Sequence, residues 1–238
     1  MVAIDIQHLI KTYKGGTQAL KDVSLQIATG DFFALLGANG AGKTTLINIL
    51  TGLVNKTSGT VKVFGFDIDH QESNAKGCLG TVPQEFNFNM FEKVEDIVVN
   101  QAGYFGVPYK TAKKDAEHFL KKVGLWEKRQ AMARTLSGGM KRRLMIARAL
   151  MHHPKILILD EPTAGVDVEL RIGMWEYLRE INKKGTTIIL TTHYLEEVEQ
   201  MCRHVAIIKK GQIVRQDTVS NLTKNQKLEK TFLEIIKE

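Results

Sequence analysis

The apolar residues of this chain fall into short continuous runs and into stripes with helical spacing. Continuous apolar runs at 32–36, 156–159 and 187–190 predict strands buried on both faces, as in a parallel sheet covered by helices. One-sided apolar patterns predict helices at 45–50 and 168–182. Because buried strands alternate with amphipathic helices, we expect an α/β fold with a mostly parallel sheet.

Two further apolar stripes lie outside this alternation. Leu144, Ala147 and Leu150 recur at helical spacing after Ser137, a residue type that commonly caps helix N-termini. Apolar residues among lysines and glutamates near the C-terminus predict an amphipathic helix there. They are Leu222, Leu228, Phe232, Leu233 and Ile236.

Residues 37–44 read G-A-N-G-A-G-K-T, which fits the phosphate-binding loop motif G-x-x-x-x-G-K-[ST]. The motif is specific only where a strand precedes it and a helix follows, and both are predicted here. ATP or GTP is therefore the expected ligand. The expected nucleotide contacts in this loop are Gly37, Ala38, Asn39, Gly40, Ala41, Gly42, Lys43, Thr44 and Thr45.

The residue types in this loop suit phosphate chemistry. Its glycines allow a tight turn that aims backbone N–H groups at phosphate oxygens, and the start of the following helix favours negative charge. We expect Lys43 to bridge the β- and γ-phosphates. The Thr44 hydroxyl is placed to ligate Mg²⁺, a cation held by few protein oxygens together with the phosphates.

A pair of acidic residues follows the apolar run at 156–159. Carboxylates at the C-terminal end of a parallel strand face the crevice where ligands bind. Asp160 is expected to hold Mg²⁺, directly or through water, and Glu161 to act as the general base for the attacking water. Two solvated acids at a strand end are the alternative, which the phosphate loop makes less favourable.

Ser137, Gly138 and Gly139 lie between the two nucleotide motifs and precede the stripe that begins at Leu144. Ser137 is the expected N-cap of this helix. Two glycines in the first turn leave backbone N–H groups uncovered, so this helix start forms a second anion site.

With these motifs the chain resembles the ATP-binding cassette family, the nucleotide-hydrolysing domains of ABC transporters, over residues 2 to about 215. The resemblance implies a P-loop NTPase core with an antiparallel β subdomain at one edge and an inserted α-helical signature subdomain. It implies that the signature serine of one copy meets the γ-phosphate held by the other, so that a homodimer encloses two ATP molecules. It also implies integral membrane permease subunits as partners.

Four more residues match family motifs. Gln84 resembles the glutamine that senses the γ-phosphate and Mg²⁺, and His193 resembles the histidine that contacts the γ-phosphate. Tyr13 matches the aromatic residue that stacks on adenine, with strand packing as the alternative. Asp167 resembles the aspartate that crosses the dimer interface, with a helix N-cap as the alternative.

The signature departs from the commonest family pattern at one position. Met140 stands where glutamine is usual, and it cannot reach back to close a capping box with Ser137. We still expect activity, because Ser137 and the two glycines supply the groups that meet phosphate.

Length and composition limit the organisation. The 238 residues suffice for one such domain, 1–215, with a helical subdomain at about 84–153 and an amphipathic tail at 216–238. No apolar stretch approaches the ~18 residues of a membrane span, and no signal peptide is evident. The expected location is therefore the cytoplasmic face of the cell membrane, bound to the permease.

The net charge of +7 comes mostly from scattered basic pairs. A solvated face is favoured, proximity to anionic lipid is the best specific interpretation, and nucleic acid is not an expected partner.

Three aromatic residues follow Gln84 in a short segment. They are Phe86, Phe88 and Phe91, and they are hypothesised to receive a short helix of the membrane subunit, with core packing as the alternative.

The signature helix and the segments around Glu161 and His193 are similar to ATPase subunits of bacterial exporters of drugs, polysaccharides or other large amphiphiles. An exporter ATPase is therefore the expected function, coupling ATP-driven dimerisation to transport. The alternative is an ATPase of the same family that acts on ribosomes or DNA. Such proteins usually carry two fused domains or a long coiled-coil insertion, and this chain has neither.

Overall fold

The structure, a computed structural model, describes residues 1–163, 166 and 168–237, with the backbone alone at 168–170. The strands in this part of the chain are β1 (Val2–Thr12), β2 (Gln18–Ala28), β3 (Phe32–Leu36), β4 (Ser58–Val63), β5 (Phe66–Asp67), β6 (Leu79–Val82), β7 (Ile156–Asp160), β8 (Thr187–Thr191), β9 (His204–Lys209) and β10 (Gln212–Thr218). The α-helices are α1 (Lys43–Leu50), α2 (Glu72–Gly77), α3 (Val94–Tyr104), α4 (Tyr109–Lys122), α5 (Gly138–Leu150), α6 (Val168–Lys183), α7 (Leu195–Met201), α8 (Val219–Leu222) and α9 (Leu228–Lys237), with 3-10 turns at Trp126–Lys128 and Ala133–Thr135.

The described residues form a six-stranded sheet in the order β10-β9-β3-β8-β7-β6. The pairs from β9 to β6 are parallel, and β10 joins the edge antiparallel to β9. β3, β7 and β8 are buried at every position, as their continuous apolar runs predicted. The predicted α/β fold with a mostly parallel sheet is confirmed.

Alternate side chains of β3 pack into two different cores, one on each face of the sheet. Phe33 and Leu35 pack with α1 and with a second sheet, which is antiparallel in the order β2-β1-β4-β5. Phe32, Ala34 and Leu36 pack on the other face with residues of α5 and α6. The antiparallel sheet predicted at the edge is thus present.

Between β6 and β7 the chain leaves the sheet and forms α3, α4 and α5. Their apolar faces make a third core that includes Val94, Ile97, Leu120 and Leu144. The other two residues of the predicted stripe on α5, Ala147 and Leu150, are also buried. The subdomain bounds at 84–153 and 215 stay predictions.

The C-terminal helix α9 is amphipathic and lies against the core between the sheet and α6. Leu228 is fully buried, and Phe232 and Ile236 are partly buried in that core. Leu233, predicted on the same apolar face, is 48% exposed. No helix in the described residues is both long enough and apolar enough to cross a membrane.

Candidate functional site

A cavity of about 630 Å³ opens where the phosphate loop meets the C-terminal ends of β7 and β8. The sequence-predicted residues that line it are Asn39, Gly40, Gly42, Lys43, Thr44, Thr45, Gln84, Asp160, Glu161 and His193. They come from segments far apart in the chain, and the parallel sheet gathers them because its strands end at one edge. Ala19 also lines the cavity and carried no sequence signal.

Two glycines show why the loop accepts no side chain at some positions. A Cβ on Gly37 would lie 2.4 Å from the Ile208 carbonyl oxygen, which is closer than any contact that real Cβ atoms make. Gly42 has φ of 115°, in the left-handed region, and is the N-cap of α1. The loop therefore packs against β9 before turning into the helix.

The Lys43 ammonium group is held by the loop itself. Its Nζ donates to the carbonyl oxygens of Gly37 at 2.7 Å and Ala38 at 3.1 Å. Burial lowers the pKa of Lys43, while the charges of Glu161 and Asp160 raise it. A half-buried cation directed by its own loop and flanked by two carboxylates suits a polyanionic ligand.

Asp160 ends β7 and is buried. Its carboxylate accepts a hydrogen bond from the Thr191 hydroxyl at the end of β8. Thr191 was not among the predicted site residues, although a polar residue ending an apolar strand beside His193 is a usable signal. This hydrogen bond fixes one carboxylate oxygen of Asp160, because Thr191 is itself fully buried.

Glu161 adopts a backbone conformation that is unusual for a residue with a side chain. Its φ is +49°, and its N–H donates to the Thr191 carbonyl oxygen at 3.0 Å. Such a conformation costs about 1–3 kcal/mol, and it also occurs away from the cavity, for example at His8 and Asp22. The Glu161 side chain lies 3.2 Å, Oε2 to Nδ1, from His193 in the cavity wall.

Tyr13 lies at the edge of this cavity without lining it. Its hydroxyl is 3.3 Å from Oγ1 of Thr45, which does line the cavity, and the Lys11 ammonium is 4.8 Å from the ring centroid. The ring is 39% exposed. One face of Tyr13 is therefore covered by a cation, and the ring remains accessible beside the phosphate loop.

The residues at the start of α5 lie outside this cavity. The Ser137 Oγ accepts a hydrogen bond from the Met140 N–H at 3.3 Å, so the predicted N-cap is observed. A Cβ on Gly138 would meet no atom of the described residues within 4 Å. Ser137, Gly138 and Gly139 thus form a helix start that is exposed at Ser137 and Gly138 and lies outside the lining of the nucleotide cavity.

The predicted site residues Ala38 and Ala41 belong to the phosphate loop beside the lining residues. Asp167 lies outside the described residues. No cluster of three or more His, Cys, Asp or Glu that could hold a metal occurs in the described residues.

The sequence matches the family model of the ABC transporter ATP-binding domain over residues 20–164. It is 39% identical to the linearmycin resistance ATP-binding protein LnrL of Bacillus subtilis (strain 168). The 213 aligned residues cover 90% of this chain and 68% of that protein. It is 38% identical over 208 residues to the Nod factor export ATP-binding protein I of Burkholderia orbicola (strain AU 1054), covering 87% and 68%.

Solved structures of the same fold superpose on most of the chain. Protein cbiO1 of Clostridium perfringens, part of the ABC transporter complex cbiONQ, matches with a TM-score of 0.85 and 30% identity over 98% of this chain and 95% of that one. A dimeric ATP-binding cassette in a post-hydrolysis state with ADP and Pi matches with a TM-score of 0.83 and 27% identity over 91% and 98%.

Proposed function

This chain belongs to the ABC transporter family and is an ATP-binding, ATP-hydrolysing subunit of such a transporter, and on that premise we propose which of its residues bind and hydrolyse ATP. The observation that carries the proposal is the shared cavity of Lys43, Asp160, Glu161 and His193. A cation that binds the phosphates and a residue that orients the attacking water are recurring parts of sites that transfer phosphoryl groups.

ATP enters the cavity with its phosphates on the loop at 37–45. Lys43 exchanges its bonds to the Gly37 and Ala38 carbonyl oxygens for the β- and γ-phosphates, which are better partners because they are charged. The adenine stacks on the accessible ring of Tyr13, where a π-face adds affinity with little base discrimination. The 3.3 Å approach of the Tyr13 hydroxyl to Thr45 supports this placement.

Mg²⁺ fits this cavity, because Thr44, Gln84 and Asp160 offer hydroxyl, amide and carboxylate oxygens along one wall. When bound with ATP it neutralises charge on the β- and γ-phosphates. Thr191 keeps one Asp160 oxygen hydrogen-bonded, which leaves the other directed to a ligand.

Hydrolysis is assigned to Glu161 and His193. Glu161 accepts a proton from the attacking water or orients it, and the strained backbone at +49° holds the carboxylate at the cavity wall. His193, 3.2 Å away, keeps that carboxylate in place and contacts the γ-phosphate. The general base requires this position because the water must attack in line with the bond that breaks.

A second copy of the chain completes the site. The open helix start at Ser137, Gly138 and Gly139 has N–H groups suited to phosphate but no place in its own cavity, so we assign it to the nucleotide of the partner copy. The likeness to a dimeric cassette with ADP and Pi supports this homodimer. Asp167 is proposed to cross the same interface.

Two ATP molecules then stabilise the closed dimer, because each γ-phosphate contacts Lys43 of one copy and Ser137 of the other. These contacts are absent with ADP, so hydrolysis removes the difference in affinity that favours closure. Closure and opening are the motions that a transporter subunit passes on to its partners.

Integral membrane permease subunits are the proposed partners, which places the chain at the cytoplasmic face of the cell membrane. Phe91 is 70% exposed and Phe86 is 36% exposed after Gln84, so this segment offers aromatic anchors to a membrane subunit. Phe88 is partly buried between two cores, and it contributes packing instead. The likeness to a component of a transporter complex supports this assembly.

Export is the proposed direction, of a drug, a polysaccharide or another large amphiphile. The support is the identity of 38–39% to proteins whose names state linearmycin resistance and Nod factor export. Residues 1–215 form the ATPase domain in this proposal, the helices at 84–153 its signature subdomain, and 216–238 its tail.

The test is to express tagged Glu161→Gln in its native host, solubilise it gently with ATP and identify what copurifies. A polytopic membrane protein is the expected result. Ribosomal proteins or nucleic acid without a membrane protein would instead support the alternative, an ATPase of this family acting on ribosomes or DNA. Replacing Phe91 with alanine should reduce recovery of the membrane partner without changing ATP hydrolysis by the isolated chain.

A further inference from the structure

Arg142 is a charged residue buried inside the protein, with 5% of its surface exposed. It lies in α5, little more than one turn after the Ser137 cap. Its Nη1 donates to the Pro83 carbonyl oxygen and its Nη2 to the Gln84 carbonyl oxygen, both at 2.8 Å. The planar guanidinium therefore binds two consecutive backbone carbonyls at the residue that lines the nucleotide cavity.

The same short segment has two more contacts with α5. The Arg142 guanidinium lies 5.2 Å from the centroid of the Phe86 ring. Farther along the helix, Arg148 donates through Nη1 to the Asn87 carbonyl oxygen at 3.1 Å and through Nη2 to the Asn87 side chain. Arginine side chains thus hold segment 83–88 against α5, and among the described residues the side-chain hydrogen bond to Gln84 comes from Arg142 alone.

Packing stability does not explain a buried arginine at this position. Burying an unpaired charge costs several kcal/mol, and an apolar residue of similar volume is often as stabilising or more so. Burial lowers the pKa of Arg142, and nearby Asp160 and Glu161 favour its charged form. Among the described residues its Nε has no hydrogen-bond partner, so even the polar atoms of this side chain are incompletely satisfied. Because burial of the Arg142 charge beside Gln84 costs stability, its presence there indicates a role in the nucleotide site.

The position of Arg142 joins two parts of the ATPase cycle. One end of α5 begins at the open helix start with Ser137, and Gln84 lines the cavity that holds this chain's own nucleotide. We propose that Arg142 is a positioning residue that sets Gln84 according to the position of α5. Docking of Ser137 on the partner's nucleotide then places Gln84 for hydrolysis in its own cavity. This inference rests on the roles proposed above for Ser137 and Gln84.

The chain offers a matched control one residue farther along. Arg143 is also on α5 and also donates through Nη1 to a backbone carbonyl, that of Val123 at 2.7 Å, but it contacts the end of α4 instead of segment 83–88. Arg142→Met and Arg143→Met therefore remove the same chemistry from the same helix. Both variants are compared by steady-state ATP hydrolysis of the full chain, with unfolding curves to verify folding.

Arg142→Met is expected to lower kcat about 10-fold or more while KM for ATP changes less than about 3-fold, because misplacement of a site residue slows the chemical step. Arg143→Met is expected to keep kcat within about 2-fold of wild type. Arg142→Lys keeps the charge but cannot bind both carbonyls, so its kcat should lie between the two. If Arg142→Met does not fold, Arg142→Lys takes its place in the comparison.

Combining each variant with Gln84→Ala isolates the proposed coupling. If Arg142 acts through Gln84, Arg142→Met should cost less than about 2-fold further in kcat once Gln84 is alanine. Equal losses in both backgrounds would show that Arg142 acts independently of Gln84 and would overturn the inference. Wild-type turnover of Gln84→Ala alone would contradict the role proposed for Gln84. It would also overturn the inference, because hydrolysis would then not depend on the position of Gln84.

Discussion

The Nδ1 atom of His193 lies 3.2 Å from Oε2 of Glu161. The two residues follow neighbouring parallel strands, β7 and β8, whose registers pair Asp160 with Thr191. The Glu161 carboxylate is largely shielded from solvent, at 17% exposure, whereas the His193 side chain is 55% exposed. The histidine therefore covers the acid from the open side of the cavity, where the nucleotide is expected.

Replacing His193 with alanine should lower kcat about 10²-fold or more, because the carboxylate loses its orienting partner and the γ-phosphate loses a contact. KM should change much less. His8→Ala is the control, since His8 forms a similar pair with Asp22 at 2.7 Å, on an exposed surface that does not line the cavity. Steady-state hydrolysis that is unchanged in His193→Ala would remove His193 from the mechanism.

Two glycine substitutions should separate folding from function. Gly37→Ala places a Cβ 2.4 Å from the Ile208 carbonyl oxygen and 2.8 Å from the Ile208 side chain. We expect a loss of about 1–3 kcal/mol in the free energy of unfolding, which corresponds to roughly 2–4 °C in Tm per kcal/mol. The Cβ of Gly138→Ala meets no atom of the described residues within 4 Å, so this variant should fold at least as well as wild type.

Gly138→Ala should nevertheless lower ATP hydrolysis by about 10-fold, equivalent to about 1.4 kcal/mol in the barrier, because the methyl group covers N–H groups that meet phosphate. Gly173→Ala in α6 serves as control, since its Cβ also meets no atom of the described part of the chain within 4 Å and it is not among the residues that line the cavity. Full activity of Gly138→Ala would exclude close phosphate contact at this helix start. Thermal unfolding and ATPase assays on all three variants provide the comparison.

Much of the fold and of the nucleotide cavity could be predicted from sequence, because local patterns determine both. The continuous apolar runs marked β3, β7 and β8, and parallel strands necessarily end at one edge, so Lys43, Asp160 and His193 were expected in one place. The Ser137 cap was likewise a local signal and is observed.

Side chains that act through distant contacts could not be predicted in this way. Thr191 looked like the end of a strand, and its bond to Asp160 depends on strand register, which the sequence does not state. Arg142 is one of the basic residues for which a solvated face was expected, yet it is buried against segment 83–88. Leu233 followed the apolar pattern of the tail but remains half exposed, because only part of that face meets the core.

Lys43→Met should abolish tight ATP binding yet raise the free energy of unfolding at neutral pH. The pKa of Lys43 is lowered in the folded chain mainly by burial, so the unfolded chain binds that proton more tightly. Below the lowered pKa of the folded chain, this difference reduces the free energy of unfolding by its whole amount. The reduction disappears as pH rises toward the ordinary pKa of 10.5. The stability gain of Lys43→Met should therefore shrink with rising pH.

Denaturant unfolding of wild type and Lys43→Met at neutral and alkaline pH, without nucleotide, tests this dependence. Lys11→Met is a suitable control, because Lys11 also donates to a carbonyl, that of Asn55 at 2.6 Å, but lies at an exposed position. A stability difference that grows with pH would contradict the assigned cause of the shift.

Tyr13→Ala should raise the dissociation constant for ATP by about 5- to 150-fold, the loss expected for one base–aromatic stack of about 1–3 kcal/mol. Tyr13→Phe should bind nearly as well as wild type, because the ring remains and only the 3.3 Å approach to Thr45 is lost. Inorganic triphosphate has no base, so its affinity should be the same in all three proteins. A parallel loss of triphosphate affinity in Tyr13→Ala would indicate damage to the loop instead of lost stacking.

The most direct measurement is the mass of Glu161→Gln in solution by sedimentation velocity, with ATP and Mg²⁺ and separately with ADP and Mg²⁺. If two copies enclose ATP between Lys43 of one and Ser137 of the other, Glu161→Gln should bind ATP, lose nearly all turnover and sediment as a dimer with ATP but as a monomer with ADP. Glu161→Gln that remains monomeric with saturating ATP, or that hydrolyses ATP at the wild-type rate, would contradict the shared site and the role of Glu161.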